Sequence, residues 1–367
     1  MAKKVGKIAA RLFLIVLVLL VVLACSGLAY RGYRHHQGDK ALAIGTANGI
    51  DEAMFVPIGG IEQWITIRGR DRNNPALLIL HGGPGGATSS FALNTLSWES
   101  DFTIVQWDQR GAGKTFGRSG RVGDDVTIDR MAQDGLEVAE YVCARLHKPR
   151  IVLLGVSWGT ILGIHMAKLQ PDLFYAYVGT GQVVNQRDNN ALAYTQLLAE
   201  ARRRHDARAL QELEAIGPPP WNNVAKLGVR SRWAQAYEAG APSTPRVLAA
   251  ALLAPRTTLF DFRDWVNGFL TSQEHFLHDD MSGPFMKVDL PALGADFAVP
   301  VFVFQGAEDN ITPAQLAGKY VESIHAPQKQ FVLIPGAGHL AMTTNSDEFL
   351  KLLVERVRPL ATDRMNH

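Results

Sequence analysis

Cysteine is almost missing from this chain of 367 residues. Cys25 and Cys143 are the only two. The first lies in an apolar terminal run and the second in a helical pattern, so neither a disulfide framework nor a thiolate zinc site is expected. A surplus of either charge is missing too: 37 Lys and Arg stand against 35 Asp and Glu, a net charge of +2. With no basic block in the body of the chain, a nucleic-acid surface is excluded. Internal repeats and long low-complexity runs are absent. Apolar residues are not scarce: at 47 % they suffice for one large α/β domain with an insertion, or for two domains.

What stands out is one uncharged run, Leu12 to Tyr30, "LFLIVLVLLVVLACSGLAY". Lys3, Lys4, Lys7 and Arg11 precede it and Arg31 and Arg34 follow. At about 1.5 Å rise per residue such a run approaches the roughly 30 Å of a bilayer's hydrocarbon. Being apolar on every face and lying at the terminus, it reads as a membrane segment rather than a core helix. Residues 1–34 are therefore expected to be an anchor or a signal segment, with 35–52 a polar linker. "VLAC" loosely resembles a lipoprotein cleavage box, which would leave Cys25 lipidated. The length of the run and the basic residues after it favour an uncleaved single-pass anchor. The charge bias favours a cytoplasmic N-terminus and a body on the extracytoplasmic side.

Beyond the linker, "MFVPIGG" and "IEQWITIRG" read as a hairpin turning at Gly59 and Gly60. Strands are then expected at Ala76–Leu80, Phe102–Trp107, Ile151–Leu154, "FYAYVGTG", "VPVFVFQG" and "QFVLIPG". Helical patterns lie between them at 126–146, after Ser157, at 313–323 and at 346–357. Continuous apolar strands alternating with helices specify a mostly parallel sheet covered on both faces. Residues 182–290 break the alternation with helix-like segments and a "GPPP" breaker, and read as a helical cap inserted between a first core part, 53–181, and a second, 291–367.

The chemistry is carried by "LLGVSWGTILG". A strand that reverses straight into a helix strains the residue between, and only small neighbours such as Gly155 and Gly159 leave room. Ser157 would then project at a helix N-terminus, where developing negative charge is favoured. A serine hydroxyl needs a base and an orienting acid, each after a strand. "VFVFQGAEDNITP" offers Asp309, with Glu308 as rival, and "FVLIPGAGHLAM" offers His339. His165 lies within a helix, and His325 does not directly follow a strand. Oxyanion donors are expected at the Trp158 N–H and in "HGGPGG", at Gly83. That glycine loop lacks both the lysine of a P-loop and dinucleotide spacing. Acyl transfer of this kind needs no metal and no organic cofactor.

"HGGPGG", "DQRGAGKT" (108–115), "GVSWGT" and the terminal Asp309 and His339 together resemble the α/β-hydrolase superfamily, and within it the proline iminopeptidase branch, from about Met54 to the C-terminus. The resemblance implies an α/β-hydrolase fold with a helical cap, the triad Ser157, Asp309 and His339, and a bracing role for Asp108 and Arg110. In that family, cap glutamates hold the substrate's free amino terminus. "SRWAQAYEAGAPS" resembles the cap segment concerned, with Tyr237 and Ala239 replacing its tryptophan and glycine, so Glu238 is the implied amine binder; Glu274 in "SQEHF" is a second. The expected partner is a short peptide or aminoacyl amide, with carboxylesterase action on small esters as the alternative. A membrane-tethered binding protein that has lost the chemistry is the reading from another class.

Overall fold

The computed structural model describes residues 2–362 apart from 121, 124 and 239. Ala239, which replaces the family's glycine, lies outside the described residues, and so does the side chain of Lys3. Helix α1 (Ala2–Leu42) is followed by the hairpin β1 (Ile50–Ile58) and β2 (Ile61–Gly69), closed at the Ile58–Ile61 pair. Strands β3 (Ala76–Leu80) and β4 (Thr103–Asp108) come next, then helices α2 (Gly113–Ser119) and α3 (Ile128–Leu146). After them run β5 (Ile151–Val156), α4 (Trp158–Leu169) and β6 (Phe174–Thr180).

Five helices then interrupt the alternation among the described residues: α5 (Gln186–Arg203), α6 (Ala207–Ile216), α7 (Val224–Tyr237), α8 (Thr244–Leu252) and α9 (Leu259–Leu277). β7 (Val301–Gly306), α10 (Ala314–Ser323) and β8 (Lys329–Ile334) resume it, and α11 (Ala341–Thr344), α12 (Ser346–Leu352) and α13 (Arg358–Thr362) follow. The eight strands form one sheet in the order β1-β2-β4-β3-β5-β6-β7-β8. β1, β2 and β4 pair antiparallel; every other pair is parallel.

Helices cover both faces, so β3, β4, β5 and β6 are buried at every residue; β3 and β5 are apolar throughout, while β4 also buries Thr103, Gln106 and Asp108. One core, beneath α3 and α4, includes Trp107, Trp158 and Tyr177; a second, on the opposite face, includes Trp98, Phe302 and Phe349. The cap has its own small core around Tyr194, Leu197, Leu213 and Trp221.

The linker departs from expectation. Residues 35–42 are helical, continuing α1 without a break. Their partners explain this, since tertiary contacts override a polar local sequence. Arg31 donates to the carbonyls of Leu252 and Thr257, Arg68 donates to the Leu42 carbonyl at 2.6 Å, and Leu42 is buried. Residues 9–42 include a window of mean hydropathy 3.1, none of it buried, long and apolar enough to cross a membrane.

Candidate active site

β5 ends at Val156 and α4 starts at Trp158, so Ser157 alone makes the reversal, with φ 51° and ψ −117°. A non-glycine residue at positive φ is strained. Its neighbours show why the spacing is glycine, any residue, serine, any residue, glycine. A Cβ on Gly155 would lie 2.8 Å from the Gly159 carbonyl oxygen, and one on Gly159 would lie 2.0 Å from the Leu80 oxygen. The crossing of α4 over β3 and β5 needs both positions bare.

Asp309 and His339 stand in the loops after β7 and β8. His339 Nδ1 is 3.0 Å from Asp309 Oδ2 and 3.2 Å from Oδ1. The Asp309 side chain is wholly buried and has four other donors: the amides of Ile311 and Thr312 on Oδ1, and Gln305 Nε2 and Thr312 Oγ1 on Oδ2, at 2.7 to 2.9 Å. Such a carboxylate cannot turn away from the ring. Burial pulls the His339 pKa down, but the charge and hydrogen bond of Asp309 outweigh it, and the ring titrates above its ordinary 6.5. The end of β6 touches both ends of the site: the Thr180 carbonyl accepts from the Ser157 amide at 2.9 Å, and a Cβ on Gly181 would come within 2.8 Å of His339 Cε1.

Among the described residues, neither the Gly83 nor the Trp158 amide N–H donates to a protein acceptor. Gly82 brings the first of these loops against the elbow; its added Cβ would sit 3.3 Å from Ser157 Cβ. The "DQRG" segment holds this geometry from below. Gln109 donates its amide to His81 Nε2 and its side-chain nitrogen to the His81 carbonyl, both at 3.2 Å, and accepts from Trp158 Nε1 at 3.1 Å. Burial pushes His81 down to about 4, so the ring stays neutral, accepting at Nε2 and donating from Nδ1 to the Gly82 carbonyl at 2.8 Å. Arg110 clamps Asp134 with two bonds of 2.8 and 3.1 Å and also holds the Gly59 carbonyl. Asp108 accepts from the Lys114 amide at 2.9 Å, and its burial raises it to about 6.

A cavity of about 150 Å³ opens beside Ser157 and Gly83. Gln186, Asn189, Asn190, Arg230 and Gln273 give it its polar wall; Leu277 and Phe285 add apolar surface. A larger hollow of about 440 Å³ lies beyond Asn190 and Met286, which line both.

A model of the alpha/beta hydrolase fold family matches residues 75–346. The chain belongs to this family. It is 30% identical over 308 residues to the probable aminopeptidase YbaC of Bacillus subtilis, covering 82% of this chain and 94% of that one. A probable proline iminopeptidase of Streptomyces coelicolor is 28% identical over 298 residues, covering 77% and 87%. Among solved structures, the proline iminopeptidase of Mycobacterium smegmatis superposes with a TM-score of 0.61 at 22% identity, over 85% of this chain and all of that one. The chain is thus a hydrolase with aminopeptidase-like relatives, and the expected mostly parallel sheet with its helical insertion is the fold observed.

The two glutamates expected to bind an amine are placed elsewhere in this hydrolase. Glu238, at the end of α7, is buried, and both of its oxygens are engaged: Oε1 accepts from the Asn310 amide at 2.8 Å and Oε2 from the His339 amide at 2.9 Å. It ties the acid loop to the base loop, and neither it nor the exposed Glu274 lines the cavity; Gln273, one residue earlier, does. Burial and the Asp309 charge raise the Glu238 carboxyl. Glu308, the rival acid, is exposed. Gln305, Thr312 and Arg230 were not foreseen from sequence. Gln305 had a signal: a lone polar side chain in the strand "VFVFQ" must have a buried partner, and its partner is Asp309. Thr312 lies three residues after Asp309, whose carboxylate it caps, and Arg230 had no signal because it reaches from the cap to the Ile311 carbonyl.

Proposed function

We propose that this protein is a serine hydrolase working through an acyl-enzyme. His339 Nε2 takes the proton of Ser157 Oγ as that oxygen attacks the substrate carbonyl, and Asp309 holds the ring and balances its charge. The amide N–H groups of Gly83 and Trp158 receive the oxyanion. His339 then protonates the leaving group, and water, activated by the same ring, releases the acid and restores Ser157. The observation that carries this reading is the strained Ser157 at the strand-to-helix reversal, in a fold that also pairs His339 to a five-bonded buried carboxylate.

For substrate we infer a short peptide or aminoacyl amide with a free amino terminus, an activity that the names of the relatives support. A small acyl part fits the inner cavity and the rest of the chain the outer hollow. With Glu238 engaged, the acceptors for an ammonium group are the carboxamide oxygens of Gln186, Asn189, Asn190 and Gln273. A small carboxylic ester is the second reading, and one observation favours it: among the described residues Arg230 is the single charged one lining the cavity, and a cation there repels an ammonium. Residues 12–30 are inferred to be the anchor, with the hydrolase on the extracytoplasmic side.

Proline arylamide and short-chain p-nitrophenyl esters, offered to the detergent-solubilised full chain with Ser157→Ala as blank, separate the two. Arylamide turnover that vanishes when the amine is acylated establishes the aminopeptidase; ester turnover alone establishes the esterase. The pH profile tests the base. Activity needs neutral His339, so kcat/KM is expected to rise along an acid limb centred above 6.5, and Asp309→Asn should move that midpoint down. Stability runs the other way. The raised folded pKa means that the contribution of His339 is fully present below its unfolded value of about 6.5 and is lost as pH rises through the folded one. Denaturation midpoints across this window, compared between the parent and Asp309→Asn, check the sign.

A further inference from the structure

We propose that the cap lies on the bilayer, with α8 and the first turn of α9 seated at the boundary between lipid headgroups and acyl chains. The inference rests on reading residues 12–30 as membrane-spanning, and it follows from where α1 docks. The helix runs on unbroken past its apolar run, and its last turns are clamped to the loop between α8 and α9. Arg31 Nε and Nη2 donate to the carbonyls of Leu252 and Thr257 at 3.0 and 2.5 Å. Gly38 packs so closely on Pro255 that a Cβ there would lie 2.7 Å from the proline Cβ. Asp39 pairs with Arg256 at 3.5 Å. Arg31 directly follows Tyr30, the last residue of the uncharged run. The Leu252 and Thr257 ends of the loop are therefore held within about one helical turn, roughly 5 Å, of the end of the hydrocarbon, while Pro255 and Arg256 between them rest on α1 roughly 11 Å further from it.

The surface on either side of that loop suits this depth. In α8, "TPRVLAAAL", Arg246 is the single charged residue and Ala251 the single buried one, and Leu248 is 38 % exposed. At the start of α9, Leu259 is 49 % and Phe260 69 % exposed. Arg263 sits over the Phe260 ring at 5.2 Å, its stem along the ring and its guanidinium paired at the surface with Asp264 at 2.8 Å. None of these side chains belongs to the cap's own core. A mostly apolar surface helix, an exposed phenylalanine and flanking arginines are the composition of an interfacial element. Here the anchor itself brings that composition to the membrane.

The test uses the full chain carrying Cys25→Ser, since Cys143 is buried and Cys25 is the other native thiol. Single cysteines at Leu248, Phe260, Leu19 and Lys351 are labelled with an environment-sensitive fluorophore. Each labelled chain is reconstituted into phosphatidylcholine and phosphatidylglycerol vesicles holding nitroxide lipids of shallow or deep position. Expected is a blue shift with quenching by the shallow nitroxide at positions 248 and 260, quenching by the deep one at 19, and neither at 351. Quenching at 19 with none at 248 and 260 overturns the docking and leaves the anchor standing. No quenching at 19 overturns the anchor reading and the docking with it. A blue shift at 248 and 260 that grows with the protein-to-lipid ratio, without quenching, assigns the patch to a second copy of the chain and also overturns the proposal.

Discussion

Replacing Ser157 with alanine is expected to lower kcat by about 10⁴- to 10⁶-fold while leaving the thermal transition in detergent where it was. The two halves of this result have different causes. Turnover falls because the hydroxyl is the only group at the elbow that can carry the acyl chain; His339 and Asp309, still paired, have nothing to deprotonate. Stability holds because alanine keeps the Cβ, and with it the strain of φ 51°. Ser157→Gly separates the two. It is equally silent, but it relieves a conformation that costs a residue with a side chain about 1–3 kcal/mol, against roughly 0.5–1 kcal/mol of added chain entropy. A higher melting temperature in the glycine variant than in the alanine variant would show that the fold holds its nucleophile under strain. Turnover retained in either variant would remove Ser157 from the chemistry.

The elbow was legible because its requirements are local: an apolar strand, a bare residue, serine, a bare residue, an apolar helix. The loops of Asp309 and His339 were legible for the same reason, each following a strand that is apolar almost to its end. What was not legible depends on contacts across long stretches of sequence. α1 continues through the polar stretch after residue 34 because Arg31 finds Leu252 and Thr257 some 220 residues away, and no local pattern encodes that. α9 shows a capping box at Thr258 and Asp261, but its exposed apolar first turn weakens the helical periodicity on which a sequence reading relies. Glu238 was picked out by the sequence around it, yet direction is what a sequence lacks. A glutamate ending a cap helix can face the cavity or the loops behind it, and here it is Gly338, with no Cβ to block the carboxylate, that admits it to the loops.

Glu238 therefore separates two roles that give different kinetics. As an amine binder, its loss would raise KM for substrates with a free amino terminus, spare esters, and leave stability nearly unchanged. As a tie between loops, Glu238→Ala strands two part-buried amides, those of Asn310 and His339, at about 1–3 kcal/mol each. The loss of stability expected is thus about 2–6 kcal/mol. The same two loops carry Asp309 and His339, so their relaxation misplaces the pair, and a shift of about 1 Å costs on the order of 100-fold in rate. That loss should fall on kcat, for arylamides and esters alike. Glu238→Gln is expected to lie between, since its one carbonyl oxygen serves a single amide while its NH₂ group confronts the other. It also removes a negative charge that helps to raise His339, so the acid limb should move to lower pH, a displacement that loosening of the loops alone would not give if the His339–Asp309 pair stayed intact. Kinetics of both variants on both substrate classes, with pH profiles, decide the matter; a KM effect confined to free-amine substrates would return Glu238 to the amine-binding role.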